Sequence, residues 1–154
     1  MSKIKSIGIK GNIYNWIADW LNDRVRRVVL LGSNSEWIEM KSGMLQGSVL
    51  GPLLYSSNIN DTYDSVCCNL LKFADDIKVF SVVSNIDDVN KLQNDLRNLC
   101  KWSQDWLMLF NGDKCTVMHI GNTNNKAKYE MNGKLLEEVT EERDLGFIMQ
   151  NNLK

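Results

Sequence analysis

The sequence holds one proline (Pro52) and one histidine (His119), and no apolar run approaching the roughly 20 residues a bilayer-spanning helix needs. No membrane span is therefore expected. Met1-Ser2-Lys3 leads into no apolar signal region, so secretion is not expected either. The four cysteines (Cys67, Cys68, Cys100, Cys115) include no CxxC pair, and a lone histidine cannot complete a zinc set with them. Reduced, mostly buried thiols in an intracellular protein fit this usage better than a disulfide framework. No internal repeat or low-complexity stretch is present.

What remains is a chain of 154 residues, 44% apolar, which is enough for one domain with its own core. The net charge of −1 hides an asymmetry. Residues 1–41 carry seven Lys or Arg against four Asp or Glu, whereas residues 130–144 carry two against six. The basic part could track phosphates, but on charge alone an ordinary solvated surface is the favoured reading.

Periodicity outlines the elements. Ile13, Trp16, Ile17, Trp20 and Leu21 recur at helical spacing, closing near Asn22. Residues 26–31 and 36–40 read as a hairpin around Gly32-Ser33-Asn34. A loop with two glycines, Ser42 to Ser48, feeds the apolar run Val49 to Tyr55. Leu70 to Phe73 and Ile77 to Val83 are strand-like, separated by Ala74-Asp75-Asp76. Ile86, Val89, Leu92, Leu96, Leu99, Trp102, Trp106 and Leu107 hold helical spacing, with Asn85 as N-cap and Asp87 and Asp88 in the first turn. Cys115 to Ile120 reads as a strand, Asn132-Gly133 as a tight hairpin turn, and Arg143 to Met149 as a last strand. Trp16, Trp20, Trp102 and Trp106 lie on the apolar stripes and are assigned to the core. Helices and strands interleave without regular βαβ alternation, so the expected class is α+β.

Asp75-Asp76 is the feature with chemistry in it. On a regular strand, neighbouring side chains point to opposite faces, but a turn lets both carboxylates approach one site. Hard oxygen ligands of this kind suit Mg²⁺ (or Mn²⁺) shared with substrate phosphates. Two such ions about 4 Å apart stabilise an in-line phosphoryl displacement. A solvated turn is the competing reading, because aspartate is common in turns for local hydrogen bonding.

The run Ser42-Gly43-Met44-Leu45-Gln46-Gly47-Ser48-Val49-Leu50-Gly51-Pro52, then Ile59-Asn60-Asp61 and Phe73-Ala74-Asp75-Asp76, resembles the reverse transcriptase domain of non-LTR (LINE-type) retrotransposons. The resemblance continues through Trp102-Ser103 and Trp106, Phe110-Asn111 with Lys114-Cys115, and Arg143-Asp144-Leu145-Gly146. It covers essentially the whole chain, in the family's order.

The resemblance implies a partial right-hand polymerase palm, an antiparallel sheet packed on helices, over residues 1–142, with residues 143–154 opening the hairpin that leads from palm to thumb. Phe73-Ala74-Asp75-Asp76 would be the catalytic hairpin, with Asp75 the firmer metal ligand and Asp76 its support. Gln46 and Gly47 would lie against template and incoming nucleotide, where glycine permits close backbone approach; a turn before a helix is the plain alternative. Lys114 matches a lysine near the nucleotide's phosphates and is a candidate proton donor to pyrophosphate, with an ordinary surface lysine as the alternative. The implied activity is RNA-directed DNA synthesis from an RNA template, a DNA primer and deoxynucleoside triphosphates. The parent element's enzyme would work in the nucleus.

Two departures are expected to matter. The family places another catalytic aspartate before the segment matching Lys3 to Trp16, with fingers further upstream, and its thumb lies beyond the region matching Lys154. This chain alone is therefore expected not to synthesise DNA processively. Leu45 stands where the family has proline, and Ser56-Ser57-Asn58 stands where it has an apolar run under the site. Such polar residues forfeit burial worth roughly 2 kcal/mol each, unless the segment is locally exposed. A non-catalytic remnant, or a weak nucleic-acid or protein-binding module, is the other functional reading.

Overall fold

The computed structural model describes residues 2–40, 43, 47–121 and 124–153. They divide into two units, the first ending at Asp61 and the second beginning at Thr62.

In the first unit, α1 (Ser2–Ser6) and α2 (Gly11–Leu21) precede four short strands, β1 (Val25–Arg26), β2 (Val29–Leu30), β3 (Ser33–Asn34) and β4 (Ile38–Glu39). Helix α3 (Leu50–Ile59) follows. Ile4, Ile17 and Leu54, one from each helix, form the core, with Ile9, Tyr14, Trp20, Leu21 and Leu50 packed around them. The buried face of α2 is thus Tyr14, Ile17, Trp20 and Leu21. Ile13 and Trp16, expected inside, lie at its solvent edge, and Trp16 is 57% exposed. The apolar stripe is wider than the small core available to cover it.

Helix α2 stops where its chemistry changes. The Asn22 amide donates to the carbonyls of Ala18 and Asp19 at 3.1 and 3.2 Å, Asp23 turns left-handed (φ 49°), and Arg24 Nε donates to the Leu21 carbonyl at 3.0 Å. Together these satisfy carbonyls that a helix end leaves unpaired.

The expected hairpin is present but interrupted. β1 pairs with β4 and β2 with β3, both antiparallel. Ser35 fills the gap, its amide donating to the Val28 carbonyl and its Oγ accepting from the Val28 amide, both at 2.9 Å. The reversal falls at Leu31-Gly32 (φ 47° and 81°), so Ser33 and Asn34 are strand residues rather than turn.

The run read as Val49 to Tyr55 is helical to Ile59. Pro52 is tolerated because it stands in the first turn, where no helical hydrogen bond is lost. Within it, Ser56 is exposed, Ser57 Oγ donates back to the Leu53 carbonyl at 2.8 Å, and the Asn58 carbonyl accepts from Lys3 Nζ. Ser57 and Asn58 are half-buried, and none of the three belongs to the apolar core.

A 3-10 turn, Asn60–Ser65, leads into the second unit. There the elements are β5 (Asn69–Phe73), β6 (Asp76–Phe80), α4 (Ile86–Asp105), β7 (Thr116–Met118), β8 (Glu130–Met131), β9 (Lys134–Leu135), β10 (Glu137–Val139), β11 (Glu141–Asp144) and β12 (Phe147–Gln150). Leu70, Leu99, Cys100 and Met131 form the core, bordered by Val66, Ile77, Val79, Phe110, Cys115 and Leu136. Leu99 is 1% exposed.

Helix α4 begins as its sequence demands. Asn85 Oδ1 accepts from the Asp88 amide at 2.9 Å, and Asp88 Oδ2 accepts from the Asn85 amide at 3.3 Å, a reciprocal capping box. It ends two residues earlier than the apolar spacing suggests: Trp106 is the C-cap, and Leu107 turns left-handed (φ 55°) into solvent.

The expected mixture of helices and strands is observed, but the single antiparallel sheet is not. The described strands form six separate two-stranded sheets, and one of them, β7 with β10, is parallel. The segment 143–149, read as one strand, is instead the hairpin β11–β12, broken where Leu145 and Gly146 both take positive φ (48° and 88°). Asn132-Gly133 makes the expected tight turn between β8 and β9, also with two positive φ values. Of the cysteines, Cys100 is buried, Cys67 is exposed, and none is in a disulfide.

Candidate functional site

The hairpin β5–β6 carries the carboxylates. Its ladder runs from Asn69↔Phe80 to Phe73↔Asp76, leaving only Ala74 and Asp75 as the turn. Asp76 is therefore the first residue of β6 and not part of the connection. Side chains directly opposite each other share a face. Leu70 and Val79, with Ile77, point into the core, whereas Phe73 and Asp76, Leu71 and Lys78, and Asn69 and Phe80 occupy the other face. Leu71, Phe73 and Phe80 are exposed there.

Ala74 takes a left-handed φ of 52°, which costs a residue with a Cβ of the order of 1 kcal/mol. That kink releases Asp75 from strand alternation, so it and Asp76 both stand in solvent at the hairpin tip. Lys78, two residues along the same face, is ion-paired with Asp144 of β11. Lys72 on the other face lies over the Tyr63 ring, 3.8 Å from its centroid.

Two adjacent, accessible carboxylates fit a divalent cation by donor type. Among the described residues no group of three or more His, Cys, Asp or Glu side chains could hold a metal ion. The donor set at the tip is this pair.

Lys114 is exposed, in the loop between α4 and β7, its amide donating to the Asn111 carbonyl at 3.0 Å. Gly47 takes φ 79°, a backbone region that residues with a Cβ rarely adopt, and among the described residues a Cβ there would meet nothing within 4 Å. Gln46 lies outside the described residues, as do Ser42, Met44 and Leu45. Phe73 and Ala74 adjoin the carboxylates directly. Gly47 belongs to the first unit, and Phe73, Ala74, Asp75, Asp76 and Lys114 to the second.

One residue of the second unit escaped the sequence reading. Asp95 of α4, only 2% exposed, accepts hydrogen bonds from the Cys67 and Cys68 amides at the base of the hairpin. Its signal was an aspartate on the apolar side of an amphipathic helix.

Residues 1–149 match the family described as Reverse transcriptase (RNA-dependent DNA polymerase). Among curated proteins, the chain is 28% identical over 170 residues to a probable RNA-directed DNA polymerase from transposon BS of Drosophila melanogaster, covering 99% of this chain and 18% of that protein. It is 26% identical over 151 residues to the RNA-directed DNA polymerase from mobile element jockey of the same species, covering 92% of this chain and 16% of that protein. The jockey protein of Drosophila funebris is 27% identical over 161 residues, covering 98% and 18%. The chain thus spans less than a fifth of the length of these relatives. No solved structure matches it.

Proposed function

Because the chain belongs to the reverse transcriptase family, we propose that it is palm sequence of a non-LTR retrotransposon's RNA-directed DNA polymerase, with Asp75 and Asp76 as its metal-binding carboxylates. The observation carrying this reading is the pair itself: two adjacent carboxylates exposed at the tip of a two-residue turn, on a hairpin whose other face is buried.

Members of this family use divalent metal ions, and Mg²⁺ or Mn²⁺ is the ion proposed here. Bound at such a site, the ion supplies Lewis-acid stabilisation of phosphoryl oxygens. The residues have distinct roles. Asp75, freed by the left-handed Ala74, is the primary ligand, and Asp76 is its support from the strand. Phe73, on the same face as Asp76, offers an apolar surface for the primer end. Gly47 leaves room for template or nucleotide beside the backbone, and Gln46 is assigned to the same loop. Lys114 supplies positive charge toward the phosphates of a deoxynucleoside triphosphate. The class of reaction is attack of a primer 3′-hydroxyl on the nucleotide's α-phosphate, with release of pyrophosphate and RNA as template. Residues 143–154, containing most of the β11–β12 hairpin, are assigned as the start of the palm-to-thumb connection.

Both carboxylates come from one hairpin tip, and a two-ion clamp needs a ligand from elsewhere. This chain alone is therefore proposed to bind nucleotide with metal but not to extend a primer.

The test is deoxynucleoside triphosphate binding by the full chain with and without Mn²⁺. Metal-dependent binding that disappears in Asp75→Asn supports the reading. Salt-sensitive RNA binding, unaffected by replacing both aspartates and without metal-dependent nucleotide binding, would establish a nucleic-acid-binding module instead.

A further inference from the structure

The inference concerns Asp95 and rests on the proposed metal-binding role of Asp75 and Asp76. An aspartate almost wholly withdrawn from water is costly unless its charge is met by hydrogen bonds. Asp95 meets this condition with main-chain groups. Oδ1 accepts from the Cys67 amide at 3.1 Å, and Oδ2 accepts from the Cys67 and Cys68 amides at 3.0 and 2.7 Å. Hydrogen bonds to a charged acceptor are roughly twice as strong as neutral ones.

The two donors sit at a particular place. The β5–β6 ladder begins at Asn69↔Phe80, so the Cys67 and Cys68 amides lie just outside it and have no partner strand to receive them. Among the described strands, neither β5 nor β6 pairs with any third strand. The hairpin is instead held at two points. Apolar packing of Leu70, Ile77 and Val79 at the core is one, and the Asp95 contact at the root is the other. Both reach α4, whose start is fixed by the Asn85–Asp88 capping box. Packing against a flat helix face tolerates sliding, whereas a carboxylate clamped on two successive amides does not.

We infer that Asp95 is a positioning residue for the Asp75-Asp76 pair, acting by fixing Cys67 and Cys68 of the hairpin root to α4. It touches no reacting atom. It sets where the five-pair ladder starts, and the tip follows from the root. Residues bonded directly to metal ligands typically change metal affinity by about 10–100-fold when replaced, and Asp95, acting at one further remove, is expected at the lower end of that range.

The experiment uses the full chain, labelled for NMR, with Mn²⁺ as the only probe. In the wild type, Mn²⁺ broadens the amide signals of Ala74 to Ile77. Asp95→Asn keeps the shape but presents an NH₂ to one of the amide donors. The expected variant remains folded, with β8–β9 signals unchanged. Its Cys67 and Cys68 amides exchange about tenfold faster, and half-broadening needs about tenfold more Mn²⁺. Asp95→Glu, which retains the carboxylate, recovers part of both effects. An Asp95→Asn variant with faster exchange but an unchanged Mn²⁺ curve would make Asp95 a structural residue only and overturn the inference. Global unfolding of both variants would overturn it too, by making Asp95 a general requirement of the core. If the wild type shows no broadening at the tip, the metal reading itself fails, and the positioning role falls with it.

Discussion

The side-chain amide of Gln93 pairs with the main chain of Glu130 in both directions: Gln93 Nε2 donates to the Glu130 carbonyl, and the Glu130 amide donates to Gln93 Oε1, each at 2.9 Å. A helix side chain thereby takes the place of a neighbouring strand along β8. Gln93→Leu removes both bonds and leaves two backbone groups to the solvent. A loss of about 1 kcal/mol is expected, read as a lower urea midpoint at unchanged slope. Gln93→Glu is expected to cost at least as much, because its carboxylate would face the Glu130 carbonyl.

The second unit's core depends on one leucine. Leu99→Ala is expected to cost about 3–4 kcal/mol through lost burial and the cavity left behind. Trp16→Ala, by contrast, should change stability by no more than about 0.5 kcal/mol, since its ring is largely in solvent already. Denaturant titration of the two variants side by side checks the assignment. A large effect at Trp16 would contradict the burial described for α2.

The turn that presents the carboxylates is conformationally costly. Ala74→Gly removes the Cβ from a left-handed residue, and the relief offsets glycine's greater freedom in the unfolded chain, so stability should stay within about 0.5 kcal/mol of the wild type. Ala74→Val places a β-branched side chain at the same φ and should cost more than about 1 kcal/mol. Equal effects of the two variants would argue against a left-handed Ala74.

Alkaline pH should loosen the second unit. Burial first, then a hydrogen bond to Asp95, pushes the Cys68 thiol from its ordinary 9.0 up to about 11. Burial likewise raises Cys115 and Tyr129, with further upward contributions from Cys100 and Cys68 respectively. In each case the folded chain retains a proton that the unfolded chain gives up. The unfolded state therefore binds fewer protons above its own pKa, and stability falls as pH rises. For Cys68 the contribution is intact below pH 9 and is lost progressively toward about 11. Denaturation midpoints at pH 8 and pH 10.5 should differ in that direction. Alkylation at pH 8 should modify the exposed Cys67 well before Cys68.

Much of this could be read beforehand where one residue type settles local geometry. Asn132-Gly133 predicts its turn because both positions need positive φ, and Asn85 with Asp88 predicts the start of α4 because the cap is made by those side chains. Helix α3 could not be read in this way: Leu50 to Ile59 has no amphipathic stripe, and Ser56, Ser57 and Asn58 break its apolar run. The faces of α2 were legible as a stripe but not as a burial pattern, because Ile4 and Leu54, distant in sequence, decide which edge is covered. Leu145-Gly146 went unseen by periodicity, since the apolar run Phe147-Ile148-Met149 lets Arg143 to Met149 pass as one strand. At the candidate site, the carboxylate pair was visible as Asp75-Asp76, but its support was not. Nothing local marks Asp95 as the partner of two amides 27 and 28 residues away.

The division of the described strands into six isolated pairs leaves none of them flanked by strands on both sides. Unpaired strand edges recruit further strands, and β2, β4 and β12 combine such an edge with exposed Leu30, Ile38, Phe147 and Ile148. At high concentration this chain should therefore associate with itself by adding strands edge to edge. A lysine at Ile148 on the open ribbon would act as a gatekeeper against that growth.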